Sequence, residues 1–310
     1  MSVGVVMPFW LDRPDEEALD VAAAAADAGI DTAWIGELAS FDAFALATAI
    51  GIRTPRLRLK VGPLAVGVRS PVALALGISS VASLTRRPTD LALGASSPLI
   101  VSGWHDRPWT ALAARTRDTL SSVRAILDGE RVSGFRLRSP QPQAAITVAA
   151  FGPAMTRVAA RHADEVVLNL VTPAQVANTR ARVDREAAAA GRPPPRLAVW
   201  VAAALEPGEA ARAQLAGQLA VYLGAPGYGE AFAELGFGAL VDRARAGARR
   251  AELVEAIPLE LASQVAAVGS ARDVAARIAA YHDAGADHIA VAPSTAEDVA
   301  GRRVLEAAGR

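Results

Sequence analysis

The chain has no cysteine and few other residues that bind metals or attack substrates. Its 310 residues include no Cys, four His and a single Lys, Lys60, and no H-x-x-x-H or H-E-x-x-H spacing occurs. The lack of thiols excludes disulfides, thiolate metal sites and a cysteine nucleophile, and it fits a reducing compartment. Four scattered His without Cys argue against a metal site. We therefore expect no bound metal and a cytoplasmic location.

The chain also lacks an excess of charge and a long apolar run. Lys and Arg number 32 and Asp and Glu number 32, so no surplus favours nucleic acid or an anionic membrane. No window holds about eighteen uninterrupted apolar residues, and the N-terminus shows no signal-peptide pattern before its first strand-like run. We expect a small-molecule or peptide substrate as the partner, with no nucleic acid and no membrane.

Signatures of three common enzyme classes are absent as well. The chain has no G-x-S-x-G elbow, no P-loop lysine and no G-x-G-x-x-G after its first strand-like run. The chain therefore lacks the motifs that a serine hydrolase or a P-loop nucleotidase needs, and a Rossmann dinucleotide domain is disfavoured. Lys60 lies within a strand-like run, and nothing in the sequence supports a Schiff-base role for it.

Short apolar runs rich in Val, Ile and Leu recur along the chain and alternate with helical patterns. Most are continuously hydrophobic, as are strands buried on both faces. The alternation predicts an α/β fold, a (β/α)8 TIM barrel. A doubly wound open sheet is the alternative, because a local pattern does not show whether a sheet closes. The runs are Val3–Phe9, Thr32–Glu37, Leu57–Val66, Leu91–Ala95, Ile146–Phe151, Val166–Leu170, Leu197–Leu205 and Ile289–Ala292.

The alternation is interrupted once, before the last strand. About eighty residues of helical pattern separate Leu205 from Ile289, which is too long for one crossover helix. No polar linker bounds this stretch, so we expect a single domain over residues 1–310 with a helical insertion at about 206–270. Elsewhere the predicted helices are Asp15–Ala28, Pro71–Leu84, Ala111–Leu127, Ala154–His162, Pro173–Ala190 and Asp273–Ala284.

The most informative segment runs from Asp90 to Trp109. Its apolar run stops at Gly94-Ala95-Ser96-Ser97-Pro98, where small residues let a ligand approach the backbone and the serines add hydroxyl donors. Trp104, His105 and Trp109 follow at once, in a chain with only five Trp and four His. The C-terminal ends of strands are where α/β proteins bind ligands. We therefore expect a binding site there.

Gly152-Pro153 is the best candidate for binding an anion. It follows the fifth predicted strand and opens a helix whose free N–H groups point at the loop. An ordinary helix start is the alternative. The expected neighbourhood of Ser96 and Ser97, on the adjacent strand end, favours a phosphate.

Glu37 and His105 are the candidate acid–base residues. Glu37 ends the second predicted strand, where a carboxylate acts as a general acid or base, orients a ligand, or instead caps a helix beside Ser40 and Asp42. A histidine side chain such as that of His105 is able to donate or accept a proton, and the alternative for it is a surface histidine that caps a loop.

These pieces, in this order, resemble the bacterial luciferase-like monooxygenase superfamily. Within it they are most similar to the branch that depends on the deazaflavin coenzyme F420 and includes methylenetetrahydromethanopterin reductase. The similarity covers nearly the whole chain. In the segment resembling the third strand, members often carry a non-prolyl cis peptide behind the flavin ring, whereas Pro63 makes any such bond here prolyl. The segments that carry the resemblance are Thr32–Ala47, Val61–Pro71, Leu91–Trp109, Val148–Asn169 and Val265–Pro293.

The resemblance implies a barrel that binds F420 at its C-terminal mouth and transfers a hydride between F420 and a substrate. It also implies a homodimer, which the apolar helix surfaces of an alanine-rich barrel favour. Glu37 and His105 are the implied proton-handling residues, and Phe9, Trp10, Trp104 and Trp109 the substrate-lining ones. The implied cofactor-binding residues are Gly62, Pro63, Leu64, Ala65, Gly94, Ala95, Ser96, Ser97, Phe151, Gly152, Pro153 and Asn169.

Two segments depart from the pattern of these relatives. Ser83–Thr89 replaces a Ser-Gly-Gly-Arg-type turn, and Asp164-Glu165 replaces a common Asp-Gly before the sixth strand. The substrate class stays open among an activated C=C, a C=N and an alcohol or carbonyl, in a small organic or peptide molecule. An FMN-dependent monooxygenase on the same barrel is the alternative function, and a cofactor-less barrel that binds a ligand is a third.

Overall fold

Eight parallel strands close into a barrel in this computed structural model, which describes residues 2–8 and 13–309. A ninth, three-residue strand, β8, pairs only with the end of β7. The strands are β1 (Ser2–Val6), β2 (Thr32–Ile35), β3 (Arg58–Ala65), β4 (Thr89–Gly94), β5 (Ile146–Ala149), β6 (Glu165–Asn169), β7 (Arg196–Leu205), β8 (Ala267–Gly269) and β9 (His288–Pro293).

The pairing of the strands shows that the sheet is closed. Strand β1 pairs with both β2 and β9, and β7 pairs with both β6 and β9, so no barrel strand is left with an open edge. The remaining neighbours follow chain order from β2 to β6. The predicted TIM barrel is therefore confirmed, and the open-sheet alternative is wrong.

Helices surround the barrel, and several begin at side chains that cap their free N–H groups. Asp42 accepts hydrogen bonds from two amides of α2, and Thr172 forms a capping box with Gln175 at the start of α6. No described helix is both long and apolar enough to cross a membrane. The helices that follow barrel strands are α1 (Glu17–Asp27), α2 (Ala43–Arg53), α3 (Pro71–Thr85), α4 (Leu112–Leu127), α5 (Gly152–His162) and α6 (Pro173–Ala189).

Five further helices lie between β7 and β8, in the stretch predicted to be helical. They share an apolar cluster of their own, which includes Leu223, Phe232 and Leu261 and is separate from the main core between barrel and outer helices. They are α7 (Glu209–Ala220), α8 (Tyr228–Phe232), α9 (Gly238–Arg245), α10 (Arg250–Ala256) and α11 (Leu259–Val265), and α12 (Ala271–Asp283) and α13 (Arg302–Ala308) complete the fold.

A buried ion pair crosses the interior of the barrel. Lys60 on β3 donates to Glu165 on β6, and the Thr147 hydroxyl on β5 donates to the same carboxylate oxygen at 3.0 Å. The Lys60 ammonium also lies 4.4 Å from the ring centroid of Trp34, within the range of a cation–π interaction. The pair thus joins β3 to β6 across the barrel interior beside Trp34, whose ring meets that of Trp200 edge to face at 5.6 Å.

His288 extends this polar layer and is held as a neutral ring. Its Nε2 accepts a hydrogen bond from the Trp34 indole at 3.0 Å, which assigns the ring proton to Nδ1, 2.8 Å from the Ser2 hydroxyl. Burial, reinforced by the positive charges of Lys60 and Arg196, lowers the pKa of His288 to about 3. Protonation of this ring therefore opposes folding.

Removing one partner of the ion pair is expected to destabilise the fold strongly. Lys60→Met leaves the Glu165 carboxylate buried with only the more distant, exposed Arg196 as a counter-charge, 4.0 Å away, so the free energy of unfolding should fall by about 3–5 kcal/mol in urea denaturation. Lys60→Met with Glu165→Met should regain most of that loss. Arg249→Met, at an exposed pair with Glu252, is the control and should change little. A single variant as stable as the double one would contradict the prediction.

His288 should make the protein less stable as pH falls from 7 to 5. Its pKa in the folded state lies below the usual value, so its contribution is full above about pH 6.5 and declines as pH falls toward 3. The loss between pH 7 and 5 should be about 2 kcal/mol. In His288→Gln, whose amide can bond both Trp34 and Ser2, urea denaturation should show a shallower pH dependence over this window. Parallel curves for the two proteins would refute the assignment.

Candidate active site

Small residues form one wall of the barrel mouth, at the ends of β3, β4 and β5. A Cβ added to Gly94 would lie 3.3 Å from the Ala149 Cβ and 3.4 Å from the Pro63 Cβ, so these three residues are direct neighbours. A Cβ at Gly62, which has a φ of +119°, would lie 2.2 Å from the Ala92 carbonyl oxygen, so only glycine fits there. The Gly62–Pro63 peptide bond is cis. The wall therefore offers a flat surface without bulky side chains.

The loop after β4 folds back onto the strand that precedes it. The Trp109 indole donates to the Ala95 carbonyl at 3.0 Å, and Ser97 Oγ accepts from the Ile100 amide at 3.4 Å. A π-helical turn, Leu99–Trp104, lies between Ala95 and Trp109 in the chain. Ser96 takes a positive φ of 56° and is exposed. Ser97 thus serves a local turn, whereas the Ser96 hydroxyl is exposed at the loop surface.

The start of α5 keeps the features expected of an anion site. Gly152 has a φ of +75°, and a Cβ added there would meet nothing within 4 Å. No side chain caps the N-terminus of this helix. Because β5 pairs with β4, the Gly152-Pro153 turn follows the strand end next to Ser96. An uncapped helix N-terminus beside open space suits a negatively charged group.

Glu37 is fully engaged in holding two loops together. Arg69 donates to both of its carboxylate oxygens, at 2.7 and 2.9 Å, and the Ala43 amide donates to one of them at 2.9 Å. Arg69 also donates to Asp42, the N-cap residue of α2, at 2.7 Å. The hydrogen bond to Glu37 is the main reason that the pKa of Arg69 is raised. This geometry favours a positioning role for Glu37.

The loop after β4 leaves two predicted site residues on the surface. Trp104 is 48% exposed and His105 is exposed, with no described hydrogen bond to its ring. Phe9 and Trp10, predicted to line the substrate side, lie outside the described residues. The structure therefore brings the predicted cofactor residues of β3, β4 and β5 together and keeps Glu37 in its ion pair.

Aromatic side chains from the helical segment between β7 and β8 pack at the mouth. Tyr228 packs on Phe151 with ring centroids 4.6 Å apart, and Tyr222 packs on Tyr228 at 4.7 Å. Asn169 and Tyr222 line the same cavity. Burial raises the pKa of Tyr222 to about 12 and that of Tyr228 further, so both phenols stay protonated. These hydroxyls are hydrogen-bond donors at neutral pH.

A small cavity lies below these rings at the ends of β6, β7 and β9. Of its lining residues only Asn169 was predicted from the sequence, as a cofactor-binding residue, because the helical segment between β7 and β8 carries no motif beyond its Gly-Ala-Pro-Gly-Tyr-Gly turn at 224–229. The residues that line it are Asn169, Leu170, Trp200, Ala202, Gln218, Tyr222 and Ala292.

A second concave surface differs from the mouth in charge and position. It lies outside the barrel between α5 and α6 and is lined by Arg157, Arg161, Arg182, Arg185 and Glu186. Glu186 accepts from Arg157 at 3.1 Å and from Arg161 at 2.9 Å. Because α5 and α6 lie on the outside of the barrel, this charged surface is separate from the neutral mouth.

Sequence comparisons show which known proteins this chain is similar to. The family model described as luciferase-like monooxygenase matches residues 1–288. A protein of Mycobacterium tuberculosis, whose name describes it as a coenzyme F420-dependent oxidoreductase, is 26% identical; the alignment covers 96% of this chain and 97% of that protein.

Solved structures of low sequence identity share the fold along nearly the full chain. The F420-dependent tetrahydromethanopterin reductase of Methanopyrus kandleri has a TM-score of 0.81 at 16% identity, covering 100% of this chain and 98% of that one. An F420-dependent secondary alcohol dehydrogenase, solved with an F420–acetone adduct, has a TM-score of 0.77 at 15% identity, covering 99% of this chain and 98% of that one. The FMN-bound oxygenating component of a diketocamphane monooxygenase of Pseudomonas putida has a TM-score of 0.70 at 20% identity, covering 100% of this chain and 97% of that one.

Proposed function

The chain belongs to the luciferase-like monooxygenase family, whose model matches most of its length, and we propose that it is an F420-dependent oxidoreductase. It transfers a hydride between the deazaflavin and a small organic or peptide substrate that carries an activated C=C, a C=N or an alcohol or carbonyl. The observation that carries this proposal is the near full-length similarity to a relative named as F420-dependent. We also propose that the helices between β7 and β8 are an insertion into one barrel domain.

The residues at the mouth fit a planar cofactor with an anionic arm. The small wall of Pro63, Gly94 and Ala149 leaves room for a flat ring. The uncapped start of α5 at Gly152, with Ser96 on the neighbouring strand end, suits a phosphate. When bound, F420 supplies the hydride, so the protein has to supply binding, orientation and a proton.

An FMN-dependent monooxygenase is the second candidate. The FMN-bound structure from Pseudomonas putida shares the fold at a TM-score of 0.70, and a flat ring with a phosphate describes FMN as well. The two cofactors differ in what they transfer, so binding preference separates the candidates.

F420 should bind with micromolar or better affinity and FMN much more weakly. Calorimetric titration of the protein with oxidised F420, FMN and NADPH measures this directly. Tight FMN binding without F420 binding would replace the proposal with the monooxygenase, and binding of none of them would favour a cofactor-less barrel.

Gly152→Val tests whether the α5 loop holds the cofactor. Its branched side chain would enter open space at the helix start and strain a backbone with a φ of +75°, so F420 affinity should fall by at least about tenfold in a folded protein. Gly134→Val, at a φ of +83° in the loop after α4, is the matched control for strain alone. Equal affinities for wild type and Gly152→Val would show that the loop is structural.

His105 should handle the proton that accompanies hydride transfer, and Glu37 should position its loops. Of the two candidates from the sequence, Glu37 is disfavoured because both of its carboxylate oxygens are bound by Arg69. In single-turnover oxidation of reduced F420, His105→Gln should lose about a hundredfold or more in rate and its pH dependence. Glu37→Gln should keep the pH profile and lose cofactor affinity or stability. A pH profile altered only in Glu37→Gln would make Glu37 the proton-handling residue instead.

We propose that a second copy of this chain covers the apolar face of α2 and α3. Ile52 on α2 is 64% exposed, and Leu76 and Leu84 on α3 are 49% and 68% exposed. Light scattering should report a dimer for wild type and a monomer for Leu76→Glu with Leu84→Glu. Val299→Glu, at a side chain that is 81% exposed elsewhere, should stay dimeric. A monomeric wild type at micromolar concentration would contradict the proposal.

A further inference from the structure

We propose that Gln218 selects the substrate by donating a hydrogen bond from its amide to an uncharged carbonyl oxygen. This inference rests on the proposed function and deepens it, because it names the substrate class: a neutral molecule with a ketone or amide carbonyl beside the reacting carbon. The site is the small cavity at the barrel mouth, where Gln218 lies among Asn169, Trp200 and Tyr222.

Helix α7, which carries Gln218, is held over the mouth by another glutamine. Gln214 Oε1 accepts from the Ser294 hydroxyl at 2.6 Å and from the Thr295 and Ala296 amides at 2.9 and 3.0 Å. These groups follow the end of β9, so they fix α7 to the barrel. Gln218 lies one helical turn further on, on the same face of the helix. Its position over the strand ends is therefore set by Gln214.

The amide of Gln218 has no partner within the part of the chain that the structure describes. The residue is only 3% exposed, and its Nε2 is buried without a hydrogen bond. A buried donor without an acceptor is costly, so an acceptor supplied by a ligand would stabilise this site. The Gln214 amide oxygen is therefore hydrogen-bonded within the protein, whereas the Gln218 amide nitrogen is a donor available to a ligand in the cavity.

The cavity lining determines the charge of the group that this donor receives. Its described residues are amides, a phenol, an indole and aliphatic side chains, and none is ionised at neutral pH. A carboxylate or phosphate would enter it without a cation to pair with, which is unfavourable in a buried site. A carbonyl oxygen needs only the donor.

The cavity is also narrow, since Tyr222 lies across it and packs on Tyr228. A narrow opening admits the tip of a ligand rather than its whole body. This fits a carbonyl group that points toward Gln218 while the rest of the substrate stays outside the cavity.

The test observes the glutamine side chains directly, without cofactor or turnover. The chain has six glutamines, so labelling with ¹⁵N-glutamine gives six side-chain NH₂ groups, assigned by Gln218→Met and Gln214→Met. N-methylacetamide is the neutral carbonyl probe and acetate is the charged probe. We expect N-methylacetamide to shift the Gln218 signals saturably, to leave those of Gln214 in place, and acetate to have no such effect.

Variants that keep the shape of the side chain complete the design. Gln218→Glu removes the donor at nearly constant volume, and Gln218→Met removes all polarity. N-methylacetamide binding, followed through backbone signals of the cavity residues, should weaken at least about fivefold in both variants. F420 affinity should stay within about twofold of wild type. Melting temperature checks that each variant folds.

Three outcomes would overturn the inference. In the first, the Gln218 signals stay fixed up to about 100 mM N-methylacetamide. In the second, acetate shifts these signals as much as N-methylacetamide does. In the third, Gln218→Met weakens F420 binding tenfold while N-methylacetamide has no effect on the wild-type signals. The last result would make Gln218 a cofactor contact. If wild type binds no F420 but the amide probe shifts Gln218 as expected, the proposed cofactor fails and the carbonyl site stands.

Discussion

The buried Lys60–Glu165 ion pair is the interaction on which the arrangement of this barrel depends. It joins β3 to β6 across the interior, and Thr147 and Trp34 complete the surroundings of its charges. Two opposite charges within an apolar barrel tolerate few alternative registers, because any slip of β3 against β6 separates them in a medium that penalises lone charges. Since β3 and β6 also carry Pro63 and Asn169 at their upper ends, the same pair sets how far apart the two sides of the mouth lie.

The barrel interior therefore changes character from bottom to top. Charged and polar groups fill the lower layer, with His288 kept neutral by burial and by the nearby cations. Trp34 contacts this layer through Lys60 and His288, and Trp200, whose ring meets that of Trp34, lines the cavity at the mouth. Above them the strands end in Gly94, Ala149 and Ala292, which contribute space and no charge. The buried charges of this barrel therefore lie where they stabilise the fold, and the mouth is left free of charge for a ligand.

Much of this layout was readable from sequence, because its causes are local. Continuous apolar runs predict the strands, and the small residues Gly94–Pro98 and Gly152 mark the mouth by composition alone. The roles of Glu37 and Glu165 were not readable, because each is decided by a partner far along the chain: Arg69 for the first and Lys60 for the second. In the sequence, Glu165 differs from the glycine that is common at this position in relatives, but nothing there indicates its partner. Tyr222, Tyr228 and Gln218 were missed since helices of an insertion give no strand-end signal.

The division of labour between barrel and insertion explains where substrate choice resides in this proposal. The barrel's side of the mouth consists largely of small residues and backbone, which suit a cofactor ring and discriminate little between substrates. The insertion supplies Gln218, Tyr222 and Tyr228, the donors and rings nearest the cavity. Because Gln214 fixes α7 through the chain that follows β9, these side chains can change without disturbing the cofactor wall. A change of substrate within this architecture is therefore expected to map to the insertion, while the barrel keeps the hydride chemistry constant.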